Sequence, residues 1–323
     1  MKYRALGRTG WKVGEVGYGM WGMAGWTGSD DEESLRALHR AVELGVNFFD
    51  TAWSYGEGHS ERLLGRLLSA HPDQKLYVAT KIPPRNRRWP SRRGDDIDQV
   101  FPPDYIRDYV QRSLKNLGTD RIDLMQFHVW EDAWANIEEW QEATQALTRE
   151  GLVEAWGISV NRWEPWNGLD TIRTGLVDAV QVIYNIFDQA PEDELFPLCR
   201  EMGMGVIARV PFDEGTLTGT LTKDSTWLEG DWRNIYFVRE NLIESVERAE
   251  ALRPLVPDGM TMAEMALRFI LSNDDVSVVI PGMRKVKNVE SNTSASDDAG
   301  LPPELLEELK AHRWDRQPTD WSQ

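Results

Sequence analysis

Cysteine is nearly absent: one residue, Cys199, in a chain of 323. That excludes an internal disulfide and a cysteine-rich metal site, and it fits a reducing compartment. Also missing is any apolar run near the ~18 residues that a membrane span requires. The opening MKYRALGRTG holds no apolar stretch of signal-peptide length, so a cytoplasmic location away from membranes is expected. Basic residues are outnumbered, 36 Lys and Arg against 53 Asp and Glu, for a net charge of -17. Such a field repels phosphate backbones and anionic lipid, and neither nucleic acid nor a membrane is expected as a partner. Histidine is scarce, and four of the five, His39, His59, His71 and His312, fall in expected helices or loops, so no metal site is expected. Linkers, low-complexity tracts and short repeats are missing too, and residues 1–323 are expected to form one domain.

What is present is an ordinary globular balance, 41% hydrophobic and 28% charged, with 15 tryptophans. Short runs of Val, Ile and Phe alternate with longer segments of helical period, the pattern of βα units around a parallel sheet. Eight strands are expected: Glu15–Gly19, Asn47–Asp50, Leu76–Lys81, Ile122–Phe127, Val153–Ser159, Ala179–Tyr184, Gly205–Val210 and Ser277–Ile280. Each gap between them holds at least one helical segment, among them Glu32–Leu44, Pro103–Leu117, Trp163–Thr174 and Val286–Ser294. Eight such units predict an α/β fold, a closed (β/α)8 TIM barrel. A hairpin of Lys2–Leu6 and Lys12–Val13 precedes it, and an extra helix over Pro303–Arg313 follows, with a polar tail to Gln323.

In such barrels the reactive groups stand at the carboxyl ends of the strands. Asp50 and Tyr55 follow the second strand, Lys81 ends the third and His128 ends the fourth. A lysine closing the apolar run LYVATK is costly to bury alone, and the acidic end of the neighbouring strand offers it a partner. A phenol beside that ammonium is expected to become more acidic, which makes the four a proton-donating set.

These residues lie in FFDTAWSYGEGHSERLLG (Phe48–Gly65), VATK (Val78–Lys81) and FHVW (Phe127–Trp130). Together with GIS (Gly157–Ser159) and IPGMRKVKNVESN (Ile280–Asn292), they make nearly the whole chain resemble the aldo-keto reductase superfamily. The resemblance implies hydride transfer between a nicotinamide dinucleotide and a small carbonyl compound, with Asp50, Tyr55, Lys81 and His128 as the catalytic tetrad. Tyr55 would be the general acid, Lys81 paired to Asp50 would tune it, and His128 would orient the carbonyl.

Ser159 and Gln181 match the family's partners for the nicotinamide carboxamide. Relatives often read Ser-Asn where this chain reads Ser159-Val160-Asn161, and Arg209 stands where many place an aromatic residue against the nicotinamide. A guanidinium can also stack on a planar ring. Pro211, Phe212, Gly215 and Leu217 match the loop over the pyrophosphate, and Gly282, Arg284, Asn288 and Asn292 the adenosine-phosphate site. Arg284, with Lys285 and Lys287 nearby, implies NADPH/NADP+ ahead of NAD(H).

Trp21, Trp53 and Trp130, with Trp89, are the expected pocket walls, an aromatic lining open to several carbonyl classes. Two loops are long, Pro83–Pro102 and Phe212–Val238. The first carries the arginine-rich run 85–93, read as a solvated loop, as an attractor of acidic substrates, or as an arm reaching over the cofactor or a neighbouring subunit. A second function stays open at this point, an NADP(H)-binding redox sensor or regulatory subunit with little turnover. The oligomeric state has no signature in the chain.

Overall fold

The computed structural model describes residues 1–24, 28–297 and 299–316. It opens with an antiparallel hairpin, β1 (Tyr3–Ala5) and β2 (Lys12–Gly14), in which Arg4 faces Val13. The turn includes Gly7 at φ 49°, where a Cβ would lie 2.3 Å from the Gly205 nitrogen. Only glycine lets the hairpin press this closely on the barrel.

Eight parallel strands follow: β3 (Tyr18–Gly19), β4 (Phe48–Asp50), β5 (Tyr77–Ile82), β6 (Ile122–Phe127), β7 (Val153–Ser159), β8 (Ala179–Ile183), β9 (Gly205–Arg209) and β10 (Val278–Val279). Each pairs with the next in chain order. The sheet curls until its ends meet, where Val16 bridges Val279 and Gly19 bridges Gly282, so the α/β barrel expected from the alternation is what the chain builds.

Successive side chains on a strand point to opposite faces, and this rule sorts the interior. Phe48, Ala79, Leu124, Ala155, Ala179, Ile207 and Val278 form one buried cluster with Leu6, Trp11 and Val13 of the hairpin. The hairpin therefore plugs the amino-terminal end. Two residues further along their strands, on the same inward side, stand Asp50, Lys81, Gln126, Gln181 and Arg209. A charged layer thus rests on an apolar floor.

Helices Asp31–Glu43, His59–Ala70, Pro103–Leu117, Glu138–Arg149, Leu195–Met202 and Met262–Leu271 surround the sheet. Two expected helices are shorter than expected. Trp163–Thr174 is helical only over Leu169–Arg173, because Pro165 has no N–H to give and Asn161 Oδ1 accepts from the Trp163 and Glu164 nitrogens at 3.0 and 2.9 Å. The last helix ends at Lys310, and the tail from 317 onward lies outside the described residues. No helix among the described residues is long and apolar enough to cross a membrane.

Candidate active site

Asp50 is the hub of the charged layer. Its Oδ1 accepts from Lys81 Nζ at 2.6 Å, and its Oδ2 from Gln181 Nε2 at 2.8 Å and Gln126 Nε2 at 3.2 Å. Lys81 is 0% exposed and donates also to the Thr51 carbonyl at 2.7 Å. Burial pulls this ammonium down, and the Asp50 carboxylate works against that pull.

Tyr55 and His128 stand over this pair. Lys81 Nζ lies 5.3 Å from the Tyr55 ring centre, and the Tyr55 and His128 rings meet edge to face at 5.7 Å. Ser54 Oγ is 3.3 Å from His128 Nδ1, and Trp89 packs edge-on against the same imidazole at 4.6 Å. Burial, then the charges of Lys81 and Arg209, drive His128 well below its ordinary value, so the imidazole is neutral. The phenol does not behave as the sequence suggested. Burial raises Tyr55, Asp50 pushes the same way, and only Arg209 opposes them. The Lys81 charge is spent on Asp50 at 2.6 Å, which leaves little to acidify Tyr55.

A neutral phenol, a neutral imidazole and a buried ion pair at the carboxyl end of a barrel can hold a carbonyl oxygen and give it a proton. The aldo/keto reductase family model matches residues 15–313. The chain belongs to the aldo/keto reductase family. It is 31% identical to the NADH-specific methylglyoxal reductase of Escherichia coli (strain K12), over 96% of this chain and 100% of that protein. An aldo-keto reductase of Bacillus halodurans in its holo form superposes with TM-score 0.78 at 27% identity, over all of both chains. A glycerol dehydrogenase of Gluconobacter oxydans matches with TM-score 0.78 and 27% identity, over 99% and 98% of the two chains. The chain is accordingly an oxidoreductase acting on carbonyl compounds with a nicotinamide cofactor.

The reductase has room and donors for such a dinucleotide beyond β9 and β10. Gly215, at φ 111°, and Gly282 each face open space where a Cβ would stand, and Thr216 Oγ1 is buried without a partner. The loop leaving β9 is strained. Val210, Asp213 and Glu214 all take positive φ, 55°, 45° and 56°, which is rare outside glycine and asparagine and rarest for a β-branched residue. Arg209 Nη2 donates to the Val160 carbonyl at 3.1 Å, while its Nε is buried without a partner. Ser159 lies opposite Gln181 in the β7–β8 register, but Gln181 already spends an amide N–H on Asp50. Pro211 and Phe212 lie within the strained turn, and the Leu217 N–H donates to the Phe212 carbonyl at 2.9 Å. Arg284 reaches the Gly22 carbonyl at 3.4 Å, joining the loops after the eighth and first barrel strands. Asn288 and Asn292 share one face of the helix Val286–Thr293.

The expected aromatic walls divide. Trp130 is a correction: it is 1% exposed, its indole N–H donates to Thr171 Oγ1 at 2.8 Å, and it packs on Phe127, Trp134 and Trp140. That position is between sheet and helices, not in the mouth. Trp53 packs edge-on against Tyr109 at 4.9 Å. Trp21, 42% exposed, meets Trp232 of the seventh loop at 5.9 Å. The wall beside His128 is Trp89, 37% exposed, from the arginine-rich loop. Gln126 was missed, although it lies two residues before His128 on the inward face. Also missed was a buried set of ions, Arg162, Asp188, Asp213 and Arg316 with Tyr236, behind the β9 loop. Among the described residues no group of three or more His, Cys, Asp or Glu is placed to hold a metal ion.

Proposed function

We propose that this protein is a cytoplasmic, single-domain reductase that converts an aldehyde or ketone to an alcohol with NADP(H), with Asp50, Tyr55, Lys81 and His128 as its catalytic set. The observation that carries the reading is the buried Lys81–Asp50 pair beneath the Tyr55 ring, with neutral His128 beside it. When bound, the dinucleotide supplies the hydride. Tyr55 donates its phenolic proton to the carbonyl oxygen. His128, with Ser54 on Nδ1, offers Nε2 to the same oxygen and orients it. The ion pair fixes the floor and lends the ammonium's field to the oxygen as negative charge develops there. In oxidation Tyr55 acts as the base. Ser159 and Gln181 orient the carboxamide, Arg209 presents its planar face to the nicotinamide, and Pro211, Phe212, Gly215 and Leu217 cover the pyrophosphate.

Arg284, which has no carboxylate partner among the described residues, and Lys285 stand just before a helix whose amino end favours anions, with Lys287 in its first turn. With Gly282, Asn288 and Asn292, that makes a site for a 2′-phosphorylated adenosine and supports NADP(H). The Escherichia coli relative is named for NADH, so Michaelis constants for both dinucleotides decide the matter. A clear preference for NADH would remove Arg284 from this role.

The test of the whole reading is NADPH consumption with 4-nitrobenzaldehyde, followed by absorbance. Wild type should turn over, and Tyr55→Phe should bind NADPH with unchanged affinity by fluorescence while losing at least about 100-fold in kcat. Tight NADPH binding with no turnover of any carbonyl in a broad panel would identify a cofactor sensor instead.

A further inference from the structure

Strand β6 reads IDLMQF and is buried along its whole length. Leu124 faces the apolar floor, and two residues on, alternation puts Gln126 in the charged layer. Gln126 is 0% exposed. A leucine would fill that volume without a polar atom to satisfy, whereas a buried amide is costly unless it is hydrogen-bonded. Only half of this amide is satisfied. Its Nε2 donates to Asp50 Oδ2 at 3.2 Å, while its Oε1 is buried with no hydrogen-bond partner among the described residues.

The neighbouring strand is shaped for this side chain. Gln126 sits in register with Lys81 on one side and Gly157 on the other. A Cβ on Gly157 would lie 3.0 Å from Gln126 Cγ and 3.0 Å from the Ala179 carbonyl oxygen, so the glycine of GIS leaves the room that the glutamine occupies. Around Asp50 the donors then divide their tasks. Lys81 takes Oδ1 at 2.6 Å, and Oδ2 is shared by two amides, Gln181 at 2.8 Å and Gln126 at 3.2 Å. Gln181 also serves the nicotinamide carboxamide in the reading above, whereas the Gln126 amide makes no second hydrogen bond among the described residues. Turning that amide over would set Oε1 against a carboxylate oxygen, so its donor orientation persists as long as Asp50 is ionised.

We propose that Gln126 is a positioning residue of this active site, the donor that fixes the Asp50 carboxylate on Lys81 and tempers its field at Tyr55. The inference rests on the reductase reading and adds to it a residue that acts through Asp50. The charged and titratable groups around Tyr55 are Asp50, Lys81, His128 and Arg209, and a change at Gln126 leaves all four in place. Asp50 raises the phenol, and an amide donor on the carboxylate offsets part of that field. With the amide removed, Asp50 stays charged through Lys81 and the phenol becomes harder to ionise. Alcohol oxidation reads this directly. There hydride leaves the alcohol carbon for the dinucleotide, and the hydroxyl proton goes to the Tyr55 phenolate.

Two variants test the proposal from opposite sides. Gln126→Met keeps the length and loses the amide, while Gln126→Asn keeps the amide and withdraws it from Asp50. Either one alone is decisive if the other does not fold, which melting curves will show. The assays are reduction of 4-nitrobenzaldehyde and oxidation of 4-nitrobenzyl alcohol, each with the dinucleotide that wild type prefers. Each variant should lower kcat for reduction about three- to tenfold, the scale of one neutral hydrogen bond. KM for the aldehyde, and cofactor affinity by fluorescence, should stay within twofold of wild type. The rise of alcohol oxidation with pH should move up by about half a pH unit, a shift that a loss of packing alone would not cause. If wild type turns over and the variants keep its kcat and its pH profile, whatever happens to their melting, the positioning role is refuted and the reductase stands. A loss confined to cofactor affinity would also refute it and move Gln126 into the nicotinamide site. If wild type turns over neither compound, both readings fall.

Discussion

Tyr55 sits above one carboxylate and near two cations, and burial, with Asp50 pushing the same way, outweighs Arg209 in setting its protonation. Its pKa is raised from the ordinary phenol value of ~10, so the proton needed for reduction is present at every pH near neutrality. His128 is lowered and already neutral, so it does not change charge there. The expected result is a kcat/KM for aldehyde reduction that stays flat from pH 6 to 9, while alcohol oxidation, which needs phenolate, climbs with pH. An acid limb near 6.5 that vanishes in His128→Asn would overturn the neutral imidazole. This scale was largely legible in the sequence, because strand alternation and the ends of the apolar runs place Asp50, Lys81 and His128 on one side. Gln126 obeyed the same rule and was readable. Trp130 was not: the strand ends at Phe127, so alternation predicts no direction three residues beyond it, and the indole turned into the outer shell. The acidity of Tyr55 was misread because the tightness of Lys81 on Asp50 is a distance, and sequence gives no distances.

At the scale of elements, the strands and most helices were readable from period alone, and the misreadings have local causes. Between Trp163 and Gly168 a proline and an asparagine divert the backbone into turns before a helix can start. The loop after β9 was expected to cover the pyrophosphate, but its left-handed Val210, Asp213 and Glu214 carry no sequence signal, since such φ values persist only where surroundings impose them. Two predictions belong here. Arg284→Ala should raise the Michaelis constant for NADPH about tenfold, the scale of one charge-assisted contact at a helix start, and leave that for NADH within twofold; equal losses for both would remove the residue from the phosphate site. Trp89→Ala should raise KM for aromatic aldehydes more than it lowers kcat, because it removes a wall and no reacting group. A drop confined to kcat would mean that Trp89 acts mainly by holding His128 in place.

Over the whole molecule, the strained loop after β9 is held by ions drawn from distant parts of the chain. Arg316 Nη2 donates to Asp188 at 2.6 Å and to Asp213 at 2.9 Å, its Nη1 reaches the Tyr236 hydroxyl at 3.1 Å, and Arg162 binds Tyr236 and lies 3.3 Å from Asp213. The partners are separated by 128 and 103 residues from Arg316, far beyond any periodicity, which is why this set could not be read from the sequence. Burial by itself would push Asp188 up, but Arg316 and Arg162 outweigh it and hold the carboxyl below its ordinary value. A carboxyl depressed in the folded state stabilises above the ordinary carboxylate range, near ~4, and that stability is lost as pH falls through the folded value. Arg316→Met removes one of two guanidiniums and leaves two buried carboxylates facing the other, a change expected to cost about 3 kcal/mol at pH 7. Denaturant unfolding should show that loss at neutral pH and a smaller one below pH 4, where the carboxyls take up protons in both proteins. Because Asp213 anchors the strained turn, the variant should also release NADPH faster in stopped-flow fluorescence while its chemical step, measured in a single turnover at saturating cofactor, stays near wild type. Unchanged cofactor release alongside the stability loss would confine the ion set to holding the fold, and would leave the loop's geometry to Pro211 and the hydrogen bonds within the turn.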